Sequence, residues 1–445
     1  MKKESNNYQL LTQAPVSRAI IKMALPSIMI MLITGFYNIA DTFFVGKLST
    51  QATAAVGVVF SVMFFVQAIG FFFGHGSGNY ISRELGAQRH GNAQRMASTG
   101  FFLSFTLGIA VLLIGEACIT PLSLWLGSTP TILPYTEQYL GISLLGTPFF
   151  TSSLTMNNQM RFQGNARLAL WGILSGAIVN VLLDPLFIFI FDMGVAGAAL
   201  ATVIGQIVSF LILLRMTYLG GNIRYSWRHF TPSISLFKEI IAGGTPSLSR
   251  QGLACIAMIL LNTAASVYGD VAIAAMSIVS RCTMMVLAAV IGFGQGFQPF
   301  CGFNYGAQQY QRVKQGFWFS VKVCFIFLLL LSCAGWCFSE EIIDLFRRDA
   351  EVVAIGCEVL KWQLSVLPLL SFTIVSNMLL QTIRKPWRAN LLASARNGLF
   401  FIPLILILPR LFQLQGVEMC QAISDLLAFL ISVPVVRMTF KEMDV

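Results

Sequence analysis

The sequence predicts an all-α integral membrane protein: twelve transmembrane helices in two six-helix lobes, related by a pseudo-two-fold axis along the membrane normal. Three observations carry this expectation. Of the 445 residues, 56% are hydrophobic and only 11% are charged, against about 25% charged in a soluble domain; mean hydropathy is +0.74. Apolar runs of the length that crosses a bilayer as helix, roughly 20 residues, recur along almost the whole chain. The two halves also align with each other at one constant shift. This composition excludes a soluble enzyme, a nucleic-acid binder and a disordered scaffold. Unbroken apolar stretches such as Val323 to Leu331 exclude an outer-membrane barrel, whose strands alternate.

The elements follow in order. The polar first seventeen residues show no small-residue cleavage site after a short apolar core, and read as a cytoplasmic tail. First-half spans are expected at 19–45, 52–80, 96–119, 131–160, 166–191 and 194–218. A linker at 219–236, with Gly220, Gly221, Asn222 and Pro232, divides the chain into lobes 1–218 and 237–445. Second-half spans are expected at 239–265, 271–302, 316–338, 352–382, 388–410 and 415–437. With both termini inside, most of the 29 Lys and Arg fall on cytoplasmic segments, and only Lys47, Arg347, Arg348 and Arg410 fall outside. That bias sets the orientation and accounts for the net charge of +10. Most of the nine Cys lie in apolar runs and read as small buried hydrophobes, with no zinc-type spacing.

The repeat is the most informative feature. At a shift of 220 residues, Pro26-Ser27 falls on Pro246-Ser247, Gly74 and Gly76 on Gly294 and Gly296, and Gly86-Ala87-Gln88 on Gly306-Ala307-Gln308. Pro148 and Asn157 fall on Pro368 and Asn377. Six spans per repeat is an even number, so both halves enter the membrane in the same direction. Parallel repeats of this kind build transporters with a cavity between the halves.

Charges at membrane depth cost about 2.5 to 3.5 kcal/mol on insertion scales and mark function. The first half offers Asp41 and Asp184. Asn180 and Asp184 are four apart and share a helix face, and Pro185 frees a backbone carbonyl one turn back. Thr202, with Tyr37 and Asn38 one turn before Asp41, would complete an oxygen-rich cluster able to hold a proton or Na⁺. At the repeat shift Asp41 falls on Leu261 and Asp184 on Leu404, so the acids belong to one half only. In the second half Asp425 is either a cavity acid or the partner of one of the basic residues Arg281, Lys361 and Arg396. Arg250 and Lys322 read as snorkelling or helix–helix hydrogen-bonding residues, Glu418 as an acid at an external helix mouth, and His75 as structural. Asn38, Asn157, Arg281 and Asp425 are the expected cavity residues, and Met284 and Met285 could line an adaptable wall.

These motifs, with Arg83-Glu84-Leu85-Gly86-Ala87, Asn180-Val-Leu-Leu-Asp184-Pro185 and Gly194-Val-Ala-Gly197-Ala198-Ala199, resemble the multidrug and toxic compound extrusion (MATE) family, and within it the bacterial multidrug-export (MepA-like) branch. The resemblance implies a V-shaped pair of lobes and cation-coupled antiport by alternating access. It carries the ion-coupling site to Asp41, Asn180, Asp184 and Thr202, which would also be the metal ligands if the ion is Na⁺. Tyr37 and Tyr139 are implied as neighbours, and Pro26 as the hinge of the first span.

The expected function is a secondary active multidrug efflux transporter of a bacterial inner membrane. It would exchange H⁺ or Na⁺ for lipophilic, cationic organic compounds, with no cofactor and no nucleic-acid partner, as a monomer in the lipid bilayer. The alternative keeps the fold and changes the cargo to an anionic metabolite such as a flavin, or a lipid-linked sugar. An enzyme is not expected. No GxxxxGK[ST] loop occurs, and none of His75, His90 and His229 has a paired acid nearby in sequence.

Overall fold

The computed structural model describes residues 2–219 and 221–444; the side chains of residues 2–6, 37–42, 50 and 219 are outside the description. The first half contains α1 (Lys2–Thr12), α2 (Val16–Gly46), α3 (Thr50–Gly86), α4 (His90–Ala117), α5 (Ile119–Trp125), α6 (Leu133–Leu145), α7 (Thr147–Phe162), α8 (Ala166–Pro185) and α9 (Gly194–Leu219). The second contains α10 (Ile234–Ser266), α11 (Asp270–Gly306), α12 (Tyr310–Cys337), α13 (Ser339–Phe346), α14 (Ala350–Val366), α15 (Leu370–Thr382), α16 (Pro386–Ser394) and α17 (Phe401–Met443). Among the described residues there is no strand.

Ten helical segments among the described residues are long and apolar enough to cross a membrane. The fourth expected span is absent from that set because it is broken at Gly146 into α6 and α7, the latter carrying Pro148 in its first turn. The last segment, Pro386–Met443, is 58 residues long and holds two spans. Gln413 stands between them with φ 53° and ψ −131°, outside helical geometry. The twelve-span expectation is therefore consistent with the structure.

The repeat persists in the geometry. α3 and α11 are 37 residues each, and α4 and α12 are 28 each, with every boundary displaced by 220. Asn157 Nδ2 donates to Ala169 O at 2.8 Å, and Asn377 Nδ2 donates to Ala389 O at 2.7 Å. Gln88 and Gln308 both take a left-handed conformation, with φ 60° and 59°.

Both termini lie at one end of the bundle. The polar tail is not free chain but helix α1, docked across both halves. Asn7 Nδ2 donates to Gln163 O at 3.1 Å, while Asn304 Nδ2 donates to Leu11 O at 2.9 Å and Arg312 Nη2 to Ala14 O at 2.8 Å. At the other terminus Glu442 pairs with Lys385 and Arg388.

The halves are sealed together towards this end. Glycine lets backbone approach backbone: a Cβ on Gly76 would collide with Ile240 O, and one on Gly296 with the backbone of Ala24. Thus α3 packs on α10 and α11 on α2. A buried polar network crosses the seam. Arg161, from α7, donates to Gln295 and, at 2.5 Å, to Asn158 Oδ1. His75 Nδ1 lies 3.2 Å from Ser247 Oγ, and Gln381 Nε2 donates to Ser247 Oγ at 2.8 Å. Nearer the end, Glu239 bridges Arg83 at 3.0 Å and Arg384 at 2.5 Å, joining the two halves by charge.

Candidate functional site

The buried stripe of α8 runs Gly172, Gly176, Asn180, Asp184, every fourth residue and so one face of the helix. The two glycines let α9 come close: a Cβ on Gly205 would stand 2.8 Å from Gly176 O and 3.0 Å from Asn180 Cβ. This approach brings Thr202 beside Asn180, whose Nδ2 donates to Thr202 Oγ1 at 3.2 Å. Asp184 is fully buried one turn further along. The helix then passes through Pro185 into a single wide turn, Leu186–Ile190, a kind of bulge often found at functional sites.

The structure therefore brings Asn180, Asp184 and Thr202 together in the first half. Asn180 Oδ1 is buried and accepts no hydrogen bond among the described residues. An amide oxygen, a hydroxyl oxygen and a carboxylate form a donor set suited to a proton or a hard cation. Tyr139 is buried on α6, in the apolar cluster that includes Ile188, Val195 and Ala198, directly beyond the bulge. Gln206, one turn after Thr202, is also buried, with its Oε1 accepting no hydrogen bond among the described residues. Sequence reasoning missed Gln206; its spacing of four from Thr202 was the available signal. The side chains of Tyr37, Asn38 and Asp41, the α2 members of the expected cluster, lie outside the description.

The second half has nothing comparable at the equivalent positions, where Leu404, Phe400 and Ala422 stand for Asp184, Asn180 and Thr202. Of its buried acids, Asp425 is the partner of Arg396, with Nε to Oδ1 at 2.7 Å, and it also accepts from Gln421 Nε2 at 2.8 Å. The position explains the pair. At the repeat shift Arg396 and Asp425 fall on Gly176 and Gly205, the glycines through which α8 touches α9. One half closes this helix crossing by bare backbone, the other by an ion pair.

The other expected residues fall as follows. Asn157 is buried and ties α7 to α8. Pro26 is buried within α2, and Pro246 sits at its counterpart in α10. Arg281 is exposed on α11 and shares a cavity of about 260 Å³ with Ser277 and Arg347. Glu418 is buried, a few residues past the Gln413 kink, rather than at an open helix mouth. His75 lies in the seam.

Two repeated helical lobes, sealed along glycine-lined helices and holding in the first a buried oxygen cluster whose repeat-equivalent positions in the second are apolar, define a multi-pass membrane transporter. The profile of the MatE family matches residues 26–186 and again 246–435. The chain belongs to this family, and the doubled match follows its repeat. Multidrug export protein MepA of Staphylococcus haemolyticus (strain JCSC1435) is 26% identical over 410 residues, covering 91% of this chain and 90% of that protein. MepA of Staphylococcus aureus (strain MSSA476) is 26% identical over 430 residues, covering 95% and 94%. A solved MATE structure in the straight conformation superimposes with TM-score 0.93 at 24% identity, over 98% of this chain and 99% of that one.

Proposed function

We propose that this chain is a secondary active multidrug exporter, exchanging H⁺ or Na⁺ inward for a lipophilic organic cation outward. The carrying observation is the buried cluster of Asn180, Asp184 and Thr202, present in one half of a molecule whose halves otherwise repeat. A carboxyl buried at membrane depth beside an amide and a hydroxyl oxygen is a group suited to taking up and releasing an ion. In this reading Asp184 and Asp41 exchange the coupling ion, Asn180 and Thr202 orient it, and Tyr37 and Tyr139 shape the site. Were the ion Na⁺, the same oxygens would ligate it.

Pro26 has no backbone N–H for Lys22 O, a weak point at which α2 could bend. The end bearing both termini is taken as cytoplasmic, in keeping with the Lys and Arg bias. The polar seam then closes the cytoplasmic side, and Arg161, His75, Gln295 and Glu239 must part when that side opens. A seam of hydrogen bonds suits this role, because water can replace each partner at little net cost. The linker 219–236 joins two lobes that move as units.

The test is dye transport in proteoliposomes, with pH and Na⁺ gradients imposed separately. One gradient should drive accumulation of an ethidium-like cation, and a collapsed gradient should abolish it. Equal transport with no gradient would remove coupling from the reading.

A further inference from the structure

The two halves carry different charged groups on the helices that face the seam and the first-half oxygen cluster. The first buries a carboxylate, Asp184. The second carries guanidinium groups on the seam helices themselves, Arg250 on α10 and Arg281 on α11. Arg250 is half-buried, and its Nη1 donates to Asn377 Oδ1 at 3.0 Å. Asn377 is held for this by its own amide, which donates to Ala389 O. A guanidinium has five N–H donors, and among the described residues no carboxylate pairs with Arg250. Arg281 likewise has no ion pair or hydrogen bond among the described residues, and its neighbour in the 260 Å³ cavity is a second cation, Arg347.

Their places on the helices give the site. Arg250 stands three residues after Ser247, which touches His75 across the seam, so it shares the seam-facing side of α10 one turn further from the sealed end. Arg281 precedes Gly292, whose Cβ would meet Ile28 of α2 at 2.6 Å, by about three full turns and on the same face. Counted from the far ends of α10 and α11, the two arginines lie about 24 and 17 Å down their helices, at membrane depth. At the repeat shift their counterparts are Ile30 and Ser61. Asn157 and Asn377 keep the same scaffold bond in both halves, so the cation has been added to one copy of a shared framework. Arg396 does not contribute in the same way, because Asp425 neutralises it.

We infer that the second half holds an anion subsite above the seam, with the Arg250 guanidinium, positioned by Asn377, as its anchor and Arg281 as a second positive group. It takes a carboxylate or phosphate on the cargo. Together with the acids of the first half, it selects amphoteric molecules: lipophilic compounds with a basic group and an acidic group on one skeleton. This rests on the exporter reading and narrows its substrate class. Bare cations use only half of the recognition surface.

A matched dye pair tests it. Rhodamine B is a zwitterion with a free carboxylate, and its ethyl ester is a permanent cation on the same ring system. Affinities are read by fluorescence anisotropy in detergent at neutral pH, with export in proteoliposomes alongside. Wild type should bind rhodamine B more tightly than the ester. Arg250→Gln should weaken rhodamine B by about tenfold or more and leave the ester within about twofold. Arg250→Lys should fall between, because it keeps the charge and loses the planar fork. Equal weakening of both dyes, no change for rhodamine B, or a wild-type preference for the ester would each overturn the inference. Should Arg250→Gln fail to fold, the wild-type preference and Arg281→Gln decide by the same criteria. Export of the ester without preference for the acid sinks only the subsite. Export of neither dye sinks the exporter reading itself.

Discussion

Asp184→Asn should reduce gradient-driven dye export to the level of protein-free liposomes while the protein remains folded and inserted. The amide has nearly the shape of the carboxylate, so the close crossing of α8 and α9 survives. What it loses is the capacity to exchange a proton or balance a cation in a fully buried site. Asp41→Asn should do the same. The two together should be no worse than either alone, because groups serving one step are non-additive. Leu404→Asp, at the mirrored position, should cost stability without creating coupling, since Phe400 and Ala422 offer no oxygens beside it. Export rates under an imposed gradient, with folding checked by size-exclusion elution, read all four variants. Wild-type export by Asp184→Asn, or multiplicative losses in the double variant, would remove the shared site.

Gly76→Val should abolish export for a different reason. A Cβ at this position would collide with Ile240 O, and Gly243 stands opposite as well. The obstructing atoms are backbone, so no side-chain rotation relieves the clash. The sealed end cannot close, and the protein is held in the arrangement where that end is open. Ser247→Cys reports this in a background lacking the native cysteines. Buried against His75, it should be protected from a polar maleimide, and it should become labelled when Gly76→Val is added. Continued protection together with normal export would show that this seam is not the gate.

Much of this molecule is legible in its sequence. The constant shift of 220 predicted helix boundaries that repeat with it, and extended down to single hydrogen bonds of Asn157 and Asn377. The spacing of Asn180 and Asp184 predicted their common face, because both are set by helical period alone. What the sequence concealed were partnerships between distant segments. Arg161 reads as one more loop charge, yet it is buried and reaches Gln295, which lies in the other half. Asp425 was ambiguous because its partner is 29 positions away, and only the packing of the turn after α16, Ala395–Leu399, on α17 decides the pairing. Arg250 read as either a snorkelling or a helix–helix hydrogen-bonding residue; its bond to Asn377, whose own amide is held by Ala389 O, selects the second.

Cargo and coupling ion should compete for the same first-lobe carboxylates, and equilibrium affinity for an ethidium-like dye measures this most directly. A bound cation favours the ionised carboxylate, and protonation opposes it. Affinity should therefore fall as pH drops from about 8 to about 5, or as Na⁺ rises if that is the ion, and the dependence should flatten in Asp184→Asn. Wild-type affinity that is indifferent to both pH and Na⁺, or that strengthens as pH falls, would contradict it.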